Sequence, residues 1–384
     1  MPFRIKRICF DVGVFLFYCA CRLMRQRPRL RGKEHLADVP FPVICTVTHD
    51  SYFEIPSLSK VYRALTPKPP FSVMAKGDFL SGRYLSSNFK AKNPLLRRLM
   101  QVLDRSGMPK LFFRLMNVAT VHRPFIEKTM QRTDDLKRDL SRQISHFGNI
   151  LAQGMSTLVF PEGTTWGYGG LKKIRSAAYQ LVSGVYRTYG RKVYILPINV
   201  KVDRLVQGCK DVFINVGPPQ FVMRSKEEFN RQLYRTLQRL HTITFSQIAA
   251  YYLKKVSLFG GETRREILLT RDSLARQLEP VIATIARKVQ EQVLPAFDYK
   301  LLDRQYRADK MDRFIAYCVK NGYLVKTVRD TYLVNRKKVL ALHPAKVYRK
   351  LNPVGFHANE LVSLGKSTID PLFEVPGLTT TPAH

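Results

Sequence analysis

From residue 42 onward the chain alternates two spacings of apolar residues. PVICTVT (42–48), FSVMA (71–75), VATV (118–121), STLVF (156–160), YILPINV (194–200) and VFINV (212–216) are short apolar runs of strand length. Between them the period lengthens: Leu136, Leu140, Ile144, Phe147 and Leu151 recur at helical spacing over 127–152. Ser225 stands three positions before Glu228, a capping-box signal, and Phe229, Leu233, Leu237 and Leu240 then make one stripe. Strands alternating with helices predict an α/β fold, a mostly parallel sheet covered by helices.

The pattern changes at VSLFGGE (256–262), where Gly260-Gly261 predicts a break. Beyond it, 265–295 reads as mainly helical with Pro280 near a helix start. MDRFIAYCVKNG then reads as a helix and YLVKTVRDTYLVN as a hairpin turning at Arg-Asp, the outline of a winged-helix-like module. The predicted organisation is 1–30, a membrane-associated helix; 31–258, the α/β domain; 262–372, a helical and helix-hairpin module; and 373–384, a loose tail.

Residues 8–24, ICFDVGVFLFYCACRLM, are apolar apart from Asp11 and Arg22 and lie between basic residues. The run is short of the roughly 20 apolar residues a spanning helix needs, and an interfacial helix with arginines on the headgroups fits better; a buried helix preceding the first strand is the alternative. Charge adds to this. The 384 residues hold 64 Lys and Arg against 29 Asp and Glu, a net +35, with no basic low-complexity tail. A folded surface so basic seeks a polyanion: nucleic acid, an anionic membrane or a phosphorylated substrate. The six cysteines show no metal or disulfide spacing and read as reduced thiols of a protein on the cytoplasmic face of a membrane. No metal motif is present, and no cofactor is expected.

The first polar residues after the strands carry the candidate chemistry. His49 follows the first run, Lys76 the second, Arg123 the third by two positions, and Glu162 with Gly163 the fourth. Parallel strands end on one edge, where α/β sheets bind ligands. On a continuous helix His49 and Glu54 would point about 140° apart. With His49 in the turn and Glu54 in the first helical turn, the carboxylate can instead reach the imidazole and leave Nε2 free as a base. Ordinary loop polarity would also account for the pair. FPEGTTWGYGG (160–170) leads to Lys172, Lys173 and Arg175 before a helix, glycines and cations suited to an anion.

HDSYFE, then VHR, VFPEGT and ILPINV, in that order over residues 31–220, resemble the four blocks of the glycerol-3-phosphate and lysophospholipid O-acyltransferase family. The resemblance implies that His49 is the general base and Glu54 the acid that orients it. It further implies that Arg123, Glu162, Gly163 and Thr164 contact a glycerol phosphate, with Lys172, Lys173 and Lys76 as supporting cations, and that Pro197 lines the acyl site. Acyl-CoA or acyl carrier protein would be the cosubstrate, a phosphorylated glycerol the acceptor and an anionic membrane the partner, with no nucleic acid. Two positions depart from the family: Glu54 stands where it has Asp, and Thr165 where FPEGTR has its arginine. NPVGFHANELVSL (352–364) is faintly similar to the closing segment of longer glycerol-3-phosphate acyltransferases. Two other functions remain open on sequence: a nucleic-acid-binding protein using the basic C-terminal module, and a membrane scaffold with a decayed site.

Overall fold

In the computed structural model, residues 3–48, 53–76, 85–86, 93–115, 118–121, 133–163, 167–263, 266–327 and 330–373 are described. His49, Arg123 and Thr164 lie outside them, as does the side chain of Lys76.

The chain opens with α1 (Phe3–Leu23) and β1 (Gln26–Arg31). β2 (Val43–Val47), α2 (Ser59–Ala64), β3 (Phe71–Lys76), α3 (Pro94–Arg105), α4 (Met108–Leu115) and β4 (Val118–Val121) follow. Then come α5 (Thr133–Ala152), β5 (Ser156–Val159), α6 (Ala177–Tyr189), β6 (Tyr194–Val202), β7 (Lys210–Val216) and α7 (Lys226–Arg239). The seven strands form one sheet in the order β1-β7-β6-β2-β5-β3-β4. β6, β2, β5, β3 and β4 run parallel; β7 is antiparallel to β6, and β1 pairs parallel with β7. The sheet is therefore mostly parallel, and all six apolar runs are strands within it.

Both faces are covered. Val43, Cys45 and Val47 of β2 pack with Phe10 and Val14 of α1 and Val61 and Tyr62 of α2. Ile44, between them, faces Phe147 and Leu151 of α5, Leu181 and Val185 of α6, and Leu233 of α7. This two-sided burial explains why β2 reads as a continuous apolar run. Ser225 caps α7 by accepting the Glu228 N–H at 3.2 Å, but the reciprocal half of the expected box is missing because the Glu228 carboxylate pairs with Arg224.

The second body comprises β8 (Thr242–Ile243), α8 (Phe245–Thr263), β9 (Leu268–Thr270), α9 (Arg271–Gln290), β10 (Ala296–Phe297), α10 (Arg304–Lys320), β11 (Leu324–Lys326) and β12 (Thr331–Val334). It closes with α11 (Arg336–Val339), α12 (Ala345–Leu351), α13 (Pro353–Val362) and α14 (Lys366–Ile369). β11 and β12 form the expected hairpin, and β9 adds a third antiparallel strand on β12.

Three expectations need correction here. No break occurs at Gly260-Gly261: α8 runs through to Thr263, held by the burial of Phe245, Ile248, Leu253 and Val256 in the C-terminal core. Pro280 lies inside α9, where it costs one backbone hydrogen bond; Leu274, Leu278, Ile282 and Ile285, buried on one face, keep the helix continuous. The tail does not begin at 373, because Phe373 is buried against Tyr251 with ring centroids 4.7 Å apart. Residues 374–384 lie outside the described part.

The two bodies meet through charge. Lys310 of α10 is fully buried, with its Nζ 2.5 Å from Asp203 and 2.6 Å from Asp211, at the two ends of the β6–β7 connection. Asp203 also accepts from the backbone N–H of Ser246 at 2.8 Å. Arg29 of β1 pairs with Asp211 at 2.9 Å, which gives the basic, proline-containing first strand its place at the sheet edge.

Candidate active site at the carboxyl edge

β2, β3, β4 and β5 are parallel, so the chain leaves all four on one edge. At that edge β2 passes into Thr48, whose N–H donates to the Ile198 carbonyl at 3.0 Å and whose Oγ accepts the Val200 N–H at 2.9 Å. The residue that precedes His49 is thus pinned to β6 at two points. β3 ends there with Lys76, and β4 ends two positions before Arg123.

Glu54 is buried, 2% exposed, at the start of a short 3₁₀ helix, Ile55–Leu58, ahead of α2. Its Oε2 lies 3.1 Å from Arg204 Nη2, and the Arg204 guanidinium sits over the Phe53 ring at 5.1 Å. A buried carboxylate is costly unless paired, and Arg204 gives Glu54 such a partner beside the strand end. Sequence reading missed Arg204. The signal was its place, two residues beyond β6, on a loop with no apolar pattern.

Glu162 is also buried, 3% exposed, and its Oε2 accepts the Lys172 backbone N–H at 2.9 Å. Lys172 therefore reaches this group through its main chain, while Lys173 and Arg175 are exposed. Gly163 has φ +73° and lies beside Arg175. Pro197 is buried inside the sheet opposite Thr46, at the point where the β6–β7 pairing begins, so its missing N–H falls at the end of that ladder. Farther along β6, on the same face, Asn199 and Lys201 reach a narrow crevice that Thr48, Glu162, Tyr234 and His241 also line.

The glycines of GTTWGYGG have a different role from the one expected. A Cβ on Gly167 would lie 1.5 Å from the Ala345 carbonyl oxygen, and one on Gly169, at φ +92°, 2.4 Å from that of Phe356. The close approach is to α12 and α13. Asn359 donates to the Tyr168 carbonyl at 2.8 Å, and the Tyr168 and Tyr348 rings stand 5.2 Å apart, which fastens the loop to the C-terminal helices.

With this geometry in view, a family model described as Acyltransferase matches residues 27–201. This stretch is similar to the acyltransferase family. No curated protein sequence matches the chain. Among solved structures, the 1-acyl-sn-glycerophosphate (LPA) acyltransferase PlsC from Thermotoga maritima is similar at 13% identity. The match covers 60% of this chain and 77% of that one with a TM-score of 0.38, a likeness too distant to bear on substrate. The matched segment ends on Lys201, so Tyr234 and Gln238 of α7, His241, and Ser363 and Leu364 just after α13, which also line the crevice, lie beyond it.

Proposed function

We propose that this acyltransferase is membrane-associated and moves a fatty acyl group from acyl-CoA or acyl carrier protein to a hydroxyl of glycerol-3-phosphate or lysophosphatidate, in phospholipid synthesis. The observation that carries the reading is the order of the family blocks along one sheet edge: Thr48 leading into His49, buried Glu54, and buried Glu162 beside a crevice. In this mechanism His49 takes the acceptor hydroxyl proton as that oxygen attacks the thioester carbonyl. The C–S bond then breaks, and the thiolate of coenzyme A or carrier protein leaves with the proton that His49 returns. Glu54, anchored by Arg204, sets the tautomer and charge of the imidazole. Lys76, Arg123, Thr164, Lys172 and Lys173 belong to the anion-binding side, and Pro197 to the acyl side.

The nucleic-acid alternative has less support. In a helix-plus-hairpin reader the helix before the hairpin would face the ligand, whereas α10 turns Lys310, Met311, Phe314 and Ile315 into the protein. Incubating membranes that carry the protein with labelled acyl donor and either acceptor tests the proposal directly. A phosphatidate or lysophosphatidate product is expected, and folded protein that yields neither overturns it.

Association with the cytoplasmic face of a membrane is supported by an apolar outer surface. No helix among the described residues is long and apolar enough to cross a membrane. α1 buries Phe10, Val14 and Cys21 but leaves Ile8, Val12, Phe15 and Leu16 exposed. α4 packs against α1 and α3, and these two add exposed Leu95, Leu99, Val102, Met108 and Leu111, with Arg97, Arg98 and Arg105 alongside. Burying each such side chain in lipid contributes about 1.5–3 kcal/mol, and each nearby arginine about 1 kcal/mol on an anionic leaflet. Leu99→Asp combined with Val102→Asp is expected to weaken sedimentation with phosphatidylglycerol vesicles by more than about tenfold. Undiminished binding would remove α3 from the membrane face.

A further inference from the structure

The strand positions of β6 that face α7 change from apolar to polar at Asn199 and Lys201, although both are buried. Asn199 Nδ2 donates to the Leu237 carbonyl at 2.7 Å, while its buried Oδ1 has no hydrogen-bond partner among the described residues. Lys201 is satisfied from the far end of the chain, its Nζ 2.6 Å from Glu360 Oε1 on α13. The other Glu360 oxygen accepts from His357 Nδ1 at 2.6 Å and Gln247 Nε2 at 3.3 Å. Gln247 Oε1 accepts the Thr244 N–H at 3.2 Å, which makes His241 Nε2, 3.2 Å from the same oxygen, a donor and leaves its lone pair on Nδ1. Burial, then the Lys201 charge, pushes His241 down to about 4, so this ring is neutral near pH 7. Burial opposes ionisation of Glu360, but Lys201 and His357 outweigh it and hold the carboxyl well below its ordinary range.

An ion pair this buried is a poor source of stability, because desolvation cancels most of the attraction. Its position suggests another use. The family arginine of FPEGTR is absent at Thr165, and Lys173 and Arg175 are exposed. Lys201 instead lines the crevice with Glu162 and with Thr48, the residue that precedes His49 in the chain.

We propose that Lys201 binds the phosphate of the acceptor in place of the missing arginine, and that Glu360, backed by His357 and Gln247, is the positioning residue that holds it at the crevice. The proposal rests on the glycerol-phosphate reading above and narrows it, since the C-terminal body then completes the acceptor site of the acyltransferase domain.

Steady-state kinetics of the full chain in vesicles, with acyl-CoA and whichever phosphorylated acceptor the parent uses, test it. Lys201→Met is expected to raise the acceptor KM at least tenfold and leave the acyl-CoA KM unchanged. Because that variant strands Glu360, the pair Lys201→Met/Glu360→Gln, which leaves no orphan charge, should show the same split. Glu360→Gln alone should raise the acceptor KM with the acyl-CoA KM unchanged, because the lysine loses the carboxylate that positions it at the crevice. A folded double variant with parental acceptor KM overturns the proposal, as does one in which both KM values or only kcat change. A parent without transfer activity would sink the glycerol-phosphate reading instead. Calorimetric binding of glycerol-3-phosphate to parent and double variant then still decides the role of Lys201: equal affinities, or no binding to the parent, overturn it.

Discussion

His49→Ala is expected to leave the protein folded and to lower acyl transfer by about 10²–10⁴-fold, the range a positioned general base supplies. The residue itself lies outside the described part, but its neighbours define what it would work with. Thr48 is fixed to β6 by two hydrogen bonds, and Glu54 is buried and anchored on Arg204. Loss of a base should fall on kcat with little change in either KM, because the imidazole is needed when the hydroxyl loses its proton rather than when substrate binds. The comparison variant is Glu54→Gln, which keeps shape and removes charge. It should lower kcat less than His49→Ala but also lower thermal stability, since the buried ion pair with Arg204 is broken. Labelled-acyl assays at saturating substrate measure the first effect and thermal melts the second. Parental activity in a folded His49→Ala chain would remove His49 as the general base.

Lys310→Met is expected to cost about 3–5 kcal/mol of stability, the usual penalty for orphaning buried charges. Asp203 and Asp211, 0% and 1% exposed, would lose the ammonium that both contact. Burial opposes ionisation of Asp203, but Lys310 and the Ser246 hydrogen bonds outweigh it and hold the carboxyl below its ordinary range. Burial likewise disfavours the Lys310 charge, but the two aspartates outweigh it and hold that group above its ordinary range. The signs follow from linkage. The Asp203 contribution is complete above the ordinary aspartate pKa and is lost as pH falls through the depressed one. The Lys310 contribution is complete below the ordinary lysine pKa and is lost as pH rises through the elevated one. The parent should therefore show a plateau between these limits. In Lys310→Met the ammonium no longer opposes the burial of Asp203, so the deficit should shrink on acidification as that carboxyl takes up a proton. Urea midpoints across pH measure this; a deficit below about 1 kcal/mol, or one independent of pH, contradicts it.

The six sheet strands were legible because short runs buried on two faces have to be apolar along their whole length. β1 was not, because QRPRLR carries arginines that an edge strand tolerates when Asp211, Asp298 and Tyr306 receive Arg29. α3 and α4 went unread although Leu95, Leu96, Leu99 and Val102 recur at helical spacing; their stripe is exposed rather than turned to the core. At the site, local order along the chain indicated the edge and the acids Glu54 and Glu162. Their partners were out of reach of any local pattern, since Glu54 meets Arg204 across 150 positions and Lys201 meets Glu360 across 159. A buried strand that alternates Asn and Lys among apolar residues was the one available sign that distant polar groups must arrive to satisfy it.

The fit of Gly167 and Gly169 against α12 and α13 limits how far the protein can be shortened. A fragment confined to residues 27–201 would keep every block of the family yet bare the backbone at Gly167 and Gly169, take Glu360 away from Lys201, and lack Asp203 and Asp211, through which Lys310 joins the two bodies. Proteolysis ahead of Ala345 should thus inactivate the enzyme long before it reaches the sheet.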